Sequence, residues 1–223
     1  MERPTVLRGG GLRWAGAGCA LTAVVLTVLV VLEWRPLVRY DIRVARTLHA
    51  EALAHPALAQ ANRILTDWIW DPWTMRALLV LACWWLWWRG ERALAVRFAL
   101  AGVLATLLQQ GLKAVVGRER PVWPDPVDSA DYAAYPSGHA LTAAVVCGLL
   151  LWLFPSSTGA RAAAVVSVLG VGFTRILLGV HWLSDVVGGW LLGVVVVALA
   201  VEGTHRPRPL LGRTGSEDPD SGS

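Results

Sequence analysis

Six apolar runs, each near the roughly 20 residues a helix needs to cross the hydrocarbon of a bilayer, constrain this 223-residue chain more than any other feature. They fall at about 16–34, 72–88, 95–117, 138–154, 161–180 and 184–201. Hydrophobic residues make up 55% of the chain, above the roughly 45–50% of a soluble domain, and the excess sits in these runs. The expected fold is all-α, a six-span transmembrane helical bundle. The first run resembles a signal peptide only superficially. It begins after fifteen residues, is long, and lacks a small-x-small cleavage site at its end, so it reads as a span.

Between the first two runs, "YDIRVARTLHAEALAHPALAQANRILTDW" is helix-prone, with Pro56 as a break. Its apolar residues Ile42, Val44, Leu48, Leu53 and Leu58 are too interrupted for a span, and an interfacial helical hairpin is expected there. The chain divides into an N-terminal tail (1–15), a membrane-embedded domain (16–202) and a C-terminal tail (203–223). The last is rich in Pro, Gly, Ser and charge and is expected to be disordered.

A net charge of +4 does not point to nucleic acid, because the arginines are spread over loops and segment ends with no basic stripe among aromatics. They read as topology signals. Arg3, Arg8 and Arg13, then Arg89 and Arg92, Arg161, and finally Arg206, Arg208 and Arg213 all fall on one side of a six-span chain, which places both tails in the cytoplasm. Arg35, Arg39, Arg43, Arg46 and Arg63 count against this assignment, and the accompanying Asp41, Glu51, Asp67 and Asp71 weigh little in the rule. Trp68, Trp70 and Trp73 at one end of the second run, and Trp84, Trp85, Trp87 and Trp88 at the other, fit interfacial belts, the alternative being packing between helices. Cys19, Cys83 and Cys147 lie inside apolar runs without a CxxC or zinc spacing and read as small buried hydrophobes.

Polar residues that are costly in a membrane form three clusters. The first is "KAVVGRERP", with Lys113 and Arg120–Pro121. The second is "PSGH", Pro136 to His139. The third is "TRILLGVHWLSD", with Arg175, His181 and Asp185. The connections after the third and fifth spans lie on the same, non-cytoplasmic side, so all three clusters meet one face. Lys113, Arg120 and Arg175 offer three cations suited to phosphate oxygens; Lys113 is the single lysine among 20 basic residues. Ser137 is a good N-cap and Gly138 admits a ligand close to the backbone, so "PSGH" opens a helix whose free N–H groups form an anion site. His181 and Asp185 are four apart and share a face of a helix starting near His181. A carboxylate on one ring nitrogen leaves the other free to attack. Gly179 is a break that brings Arg175 from the end of one span and His181 from the start of the next. Together these residues describe phosphoryl transfer without an obligatory metal, the cations stabilising the equatorial oxygens. His181 would attack phosphorus, and His139 would protonate the leaving oxygen and then activate water. No cofactor and no metal site is expected. Glu119 reads as a surface charge and Gly188–Gly189 as helix packing.

At these residues the chain resembles the type-2 phosphatidic acid phosphatase family of lipid phosphate phosphatases. The signature K-x6-R-P, P-S-G-H, S-R-x5-H-x3-D appears as Lys113-x6-Arg120-Pro121, Pro136-Ser137-Gly138-His139 and Thr174-Arg175-x5-His181-x3-Asp185. Soluble vanadium haloperoxidases share the signature, but the six apolar spans set this chain apart from them. The resemblance covers about residues 16–202. It implies a phosphatase domain in the membrane, an extracytoplasmic active site, and metal-independent release of phosphate from a lipid; the chain's Ala, Val, Arg and Trp bias suggests that the membrane is a bacterial plasma membrane. It further implies His181 as nucleophile, Asp185 as its partner, His139 as acid, and Lys113, Arg120, Arg175, Ser137 and Gly138 as phosphate ligands. Thr174 departs from the signature's Ser, and its hydroxyl is expected to keep a phosphate contact. Polyprenyl diphosphate (undecaprenyl diphosphate), phosphatidylglycerol phosphate and phosphatidic acid are the substrates the resemblance suggests. A phosphotransferase of the same family and a non-enzymatic lipid-phosphate binder or transporter are the competing readings. The partners expected are the bilayer and the lipid substrate, and the sequence assigns no oligomeric state.

Overall fold

The computed structural model describes residues 9–155 and 158–205. Among them every regular element is helical. The helices are α1 (Gly9–Val31), α2 (Arg35–Ala54), α3 (Pro56–Ile64), α4 (Pro72–Trp88), α5 (Arg92–Val116), α6 (Gly138–Leu153), α7 (Thr158–Leu177) and α8 (Leu183–Val201), with a π-helical turn at Leu65–Ile69 after α3. The six expected runs coincide with α1 and α4–α8, and α1 begins at Gly9 rather than 16. Arg3, Arg8, Arg206, Arg208 and Arg213, and most of the tail from 203 onward, lie outside the described residues.

Local chemistry accounts for the ends. Asp71 caps α4, its Oδ2 accepting from the Trp73 N–H at 2.7 Å ahead of Pro72 in the first turn. Pro56 opens α3 and separates it from α2, as expected. α5 stops at Gly117, which adopts φ +59° and returns its N–H to the Lys113 carbonyl.

α6 is buried along most of its length. Leu141, Val145 and Leu149 of α6 join Leu79 and Leu86 of α4, Phe98 of α5 and Val196 of α8 in the main core. α6 and α8 approach closely because small residues line their contact. A Cβ at Gly189 would lie 2.7 Å from the Ser137 carbonyl oxygen, and one at Gly193 2.5 Å from the Ala144 Cβ. Gly188 faces Tyr135 in the same way, 2.7 Å from its hydroxyl. The packing role expected of Gly188–Gly189 is the one observed. Since backbone atoms of α6 block position 189, Gly189→Ala is expected to lower the melting temperature in detergent by an amount reflecting about 1–3 kcal/mol of overpacking. Gly18→Ala, with nothing within 4 Å of the new methyl, serves as the control and should leave it unchanged.

Outside this core the surface is apolar. Leu21, Val24 and Val28 of α1, Leu100, Val103 and Leu107 of α5, and Val165, Val166 and Phe173 of α7 are exposed. Among the described residues four helices, Gly11–Val31 within α1 together with α5, α7 and α8, are long and apolar enough to cross a membrane, and α6 is a shorter apolar helix. Such an outer surface is that of an integral membrane protein. Trp68, Trp73, Trp84, Trp87 and Trp88 are exposed, as belts require, whereas Trp70 and Trp85 pack against the core.

The α2–α3 segment buries a stripe of small and polar residues. Leu53 and Leu58 are exposed, and the buried stripe of α2 is Asp41, Ala45, His49 and Ala52. α2 lies against α7 and α8, so its inner face meets polar groups at the end of the bundle. The opposite end carries Arg13, Arg97 and Glu202. Arg13 pairs with Glu202 at 2.8 Å, and Arg97 donates to the Glu202 carbonyl at 2.7 Å.

Candidate active site

The end of the bundle beneath α2 is formed by the 117–137 loop, the start of α6 and the 178–182 turn. The turn forms because α7 runs out at Leu177 and Gly179 adopts φ +74°. The N–H groups of Val180 and His181 both return to the Arg175 carbonyl, at 3.2 Å each. A side chain at Gly179 is blocked as well. Its Cβ would lie 2.5 Å from Trp123 Nε1 and 3.0 Å from His49 Nδ1. Trp123 donates to the Gly179 carbonyl at 2.9 Å and stacks on His49 with ring centroids 4.1 Å apart. The expected break at Gly179 is therefore present, and it puts Arg175 and His181 on different elements.

His181 is 2% exposed. It precedes α8 rather than lying on it, which corrects the shared-helix expectation. Trp182 is the N-cap and Asp185 the third residue of the helix. The Asp185 carboxylate folds back over the helix start, where Oδ2 accepts from the Trp182 N–H at 2.8 Å and faces His181 Nδ1 at 3.4 Å. This is the reach-back half of a capping box, so one carboxylate caps α8 and faces the imidazole. Arg120 Nη1 lies 3.2 Å from His181 Nε2. A guanidinium can only donate, so these partners favour the neutral tautomer with its proton on Nδ1 and its lone pair on Nε2. Burial holds the His181 pKa well below its ordinary value, and the charges of Arg120, Arg175 and Lys113 push the same way, against a weaker opposing pull from the Ala134 carbonyl.

The cations converge on this imidazole. Arg120 is positioned by the Val180 carbonyl, at 2.5 Å from Nη1, and the Tyr132 carbonyl, at 2.8 Å from Nε. Lys113, in the last turn of α5, is buried and donates to the Ala133 carbonyl. Arg175, in the last turn of α7, is 5% exposed yet poorly satisfied. Nη1 reaches Thr66 Oγ1 at 3.3 Å and Asp128 Oδ2 only at 3.9 Å, and Nε has no partner. His139, the second residue of α6, lies within electrostatic reach of Arg175, His181, Arg120 and Lys113.

The α6 start is tied to α8 by the Ser137 N–H, which donates to the Asp185 carbonyl at 3.0 Å. Ser137 occupies the N-cap position but its side chain does not cap. Its buried Oγ has no partner, which corrects the expected capping role. Thr174 likewise differs from expectation. Its hydroxyl turns back to the Val171 carbonyl at 2.8 Å and is bonded within its own helix. Gly138 packs on the Gln109 side-chain amide, a neighbour outside the three signature clusters. Gln109 is one turn before Lys113 on α5 and so shares its face.

Residues 92–208, just over half of the chain, match the PAP2 superfamily. The chain belongs to that superfamily. Among its curated relatives, an undecaprenyl-diphosphatase from Sulfolobus acidocaldarius is 30% identical over 61% of this chain and 64% of its own. A phosphatidylglycerophosphatase B from Bacillus subtilis is 32% identical over 42% of this chain and 49% of its own. The matches thus span less than two thirds of these relatives' lengths. A crystal structure of a transmembrane PAP2 type phosphatidylglycerolphosphate phosphatase from Bacillus subtilis superposes with a TM-score of 0.73 at 22% identity, over 84% of this chain and 94% of that one. The PAP2 fold is shared across nearly the whole of that neighbour.

Proposed function

We propose that this PAP2 chain is a phosphatase that hydrolyses a lipid phosphate or diphosphate through a phosphohistidine on His181, without a metal. The observation that carries the proposal is that, of the three buried side-chain polar atoms without a partner among the described residues, two are Ser137 Oγ and Arg175 Nε, the third being His49 Nδ1. Orphaned donors of this kind are costly inside a fold. Here Ser137 and Arg175 belong to two of the three signature clusters, alongside an imidazole whose Nε2 carries the lone pair. A tetrahedral anion gives them the acceptors they lack.

With the phosphoryl group held by Arg175, Arg120, Lys113, Ser137 and the N–H groups at the start of α6, the charge on its equatorial oxygens is spread over fixed donors. His181 Nε2 attacks phosphorus in line as the P–O bond to the lipid breaks, and His139 gives its proton to the departing oxygen. The lipid product leaves. His139, now neutral, takes a proton from water as that water's oxygen attacks phosphorus. The P–N bond breaks and inorganic phosphate is released, restoring both histidines. Asp185 holds the ring and offsets the charge that develops on it.

Three features support a lipid substrate in a membrane, which we read as a bacterial plasma membrane from the chain's composition. The outer surface is apolar, the site lies at one end of the helices, and the relatives are named for undecaprenyl diphosphate and phosphatidylglycerophosphate. In this reading α1 and α4–α8 cross the bilayer and α2–α3 lie at its interface. The Arg13–Glu202 end faces the cytoplasm and the site faces outward.

The test is phosphate release by the purified protein in detergent from polyprenyl diphosphate, phosphatidylglycerol phosphate and phosphatidic acid, with EDTA and no alcohol acceptor. Release in EDTA is expected. Loss in EDTA contradicts the metal-free route, transfer only to an added alcohol identifies a phosphotransferase, and binding without turnover identifies a binder.

The His181 environment fixes the pH dependence. An ordinary histidine is half protonated near pH 6.5. Since the folded protein holds His181 below that value, the neutral nucleophile persists on acidification. The acid limb that His181 contributes to kcat/KM is expected below pH 6.5, measured on the free enzyme at subsaturating substrate. The unfolded chain takes up this proton first, so the same shift lowers folding stability as pH falls below about 6.5.

A further inference from the structure

The chemistry proposed above makes no use of Arg118, Ser184 or Asp41, yet these three form a hydrogen-bonded polar cluster beside the site. Arg118 follows Gly117 at the end of α5, and its guanidinium is divided between two carboxylates. Nη1 donates to Asp185 Oδ1 and to Ser184 Oγ, both at 2.6 Å, and Nη2 donates to Asp41 Oδ2 at 2.8 Å. Asp41 sits on α2, 1% exposed. Its Oδ1 accepts from the Ser184 N–H at 3.0 Å, and its Oδ2 accepts from Ser184 Oγ at 2.5 Å. The Ser184 N–H is one of the donors that the first turn of α8 leaves open, so a carboxylate from α2 completes the cap. Burial by itself would disfavour the Arg118 cation. The attraction of Asp185 and Asp41 outweighs it, and the guanidinium stays more firmly protonated than usual.

The two oxygens of Asp185 therefore have separate tasks. Oδ2 serves the Trp182 N–H and faces His181, and Oδ1 is taken by Arg118. At 3.4 Å the contact with His181 is a long one and does little to fix the plane of the carboxylate. The bond at 2.6 Å to a rigid guanidinium fork fixes it far better.

We propose that Arg118, itself held by Asp41 and Ser184, is a positioning residue: it grips the far oxygen of Asp185 so that the near oxygen stays aimed at His181, and through Asp41 it makes the docking of α2 part of the site. The inference rests on the reading of His181 as nucleophile. Without Arg118, Asp185 is free to turn, and a buried carboxylate that loses its ion-pair partner takes up a proton more readily. The titratable and charged groups facing Asp185 are Lys113 of α5, Arg118, Arg120 and Tyr135 of the 117–137 loop, His181, and Asp41 of α2 through Ser184.

The experiment measures kcat, KM and the pH profile of lipid-phosphate hydrolysis for Arg118→Ala, Arg118→Lys and Asp41→Asn, with His181→Ala in parallel. Arg118→Ala is expected to lower kcat by about 10–10²-fold, by analogy with partners that orient the ligands of a metal site. KM should stay near the wild-type value and the acid limb should move to higher pH. Asp41→Asn should show the same signature more weakly, and Arg118→Lys should recover part of the rate. A wild-type profile, a uniform loss at every pH, or a loss confined to KM overturns the inference. If Arg118→Ala does not fold, the same readouts on Arg118→Lys and Asp41→Asn decide. An active His181→Ala would instead show that the nucleophile reading has failed. An inactive His181→Ala beside an unshifted Arg118→Ala would show that only the role given to Arg118 has.

Discussion

Replacing His181 by alanine is expected to lower lipid-phosphate hydrolysis by at least about 10⁴-fold, the order seen when a covalent nucleophile is removed from a group of residues acting as a unit. The neighbours of His181 keep other partners after the change. Arg120 retains the Val180 and Tyr132 carbonyls, and Asp185 retains the Trp182 N–H and Arg118. The fold is thus expected to survive, which gel filtration and the melting temperature in detergent would check. Binding of a non-hydrolysable lipid phosphonate should persist, because the cations are untouched. Turnover that survived the substitution would leave the site without its nucleophile and point to a direct attack by water.

The second large effect is expected at Arg175. Its backbone carbonyl carries the 178–182 turn, accepting from Val180 and His181, and that function does not depend on the side chain. The guanidinium has only weak protein partners and a free Nε. Arg175→Ala should therefore spare the fold while lowering kcat/KM by about 10²–10³-fold, the range for losing one fixed donor to a developing negative charge. Arg175→Lys should restore only part, since an ammonium supplies the charge without the two-pronged geometry. Arg97→Ala, at the far end of the bundle beside Glu202, is the control and should remain at the wild-type rate. Equal rates for the two alanine variants would remove Arg175 from phosphate recognition.

The positions of α1 and α4–α8 were legible because each is a long apolar run, and run length in a membrane-like composition is a strong signal. The meeting of Arg120, His181 and Asp185 was legible because their clusters follow the third and fifth apolar runs and Gly179 marked the turn between two of them. α2 was legible as a helix but not in orientation. Its buried stripe of Asp41, Ala45, His49 and Ala52 is polar and small, since it faces a site, and hydrophobic periodicity carries no trace of such a face. Arg118 lay inside the spacer of the first signature cluster, where nothing in one sequence separates it from a topology charge. The roles of the Ser137 and Thr174 hydroxyls were not legible for a related reason. Residue type fixes what a hydroxyl can donate or accept, but the surrounding backbone decides whether it caps a helix, bonds within one, or is left for a ligand. The long contact between His181 and Asp185 likewise came from the reach-back of a helix cap, a geometry that spacing alone leaves undetermined.

The stereochemical course at phosphorus tests the account most directly. A substrate whose terminal phosphoryl group is made chiral with oxygen isotopes and sulfur would be hydrolysed in isotopically labelled water, and the configuration of the released thiophosphate determined. Attack by His181 followed by attack of water makes two in-line displacements, and the account predicts net retention. Inversion would mean a single displacement by water and would contradict a phosphohistidine intermediate.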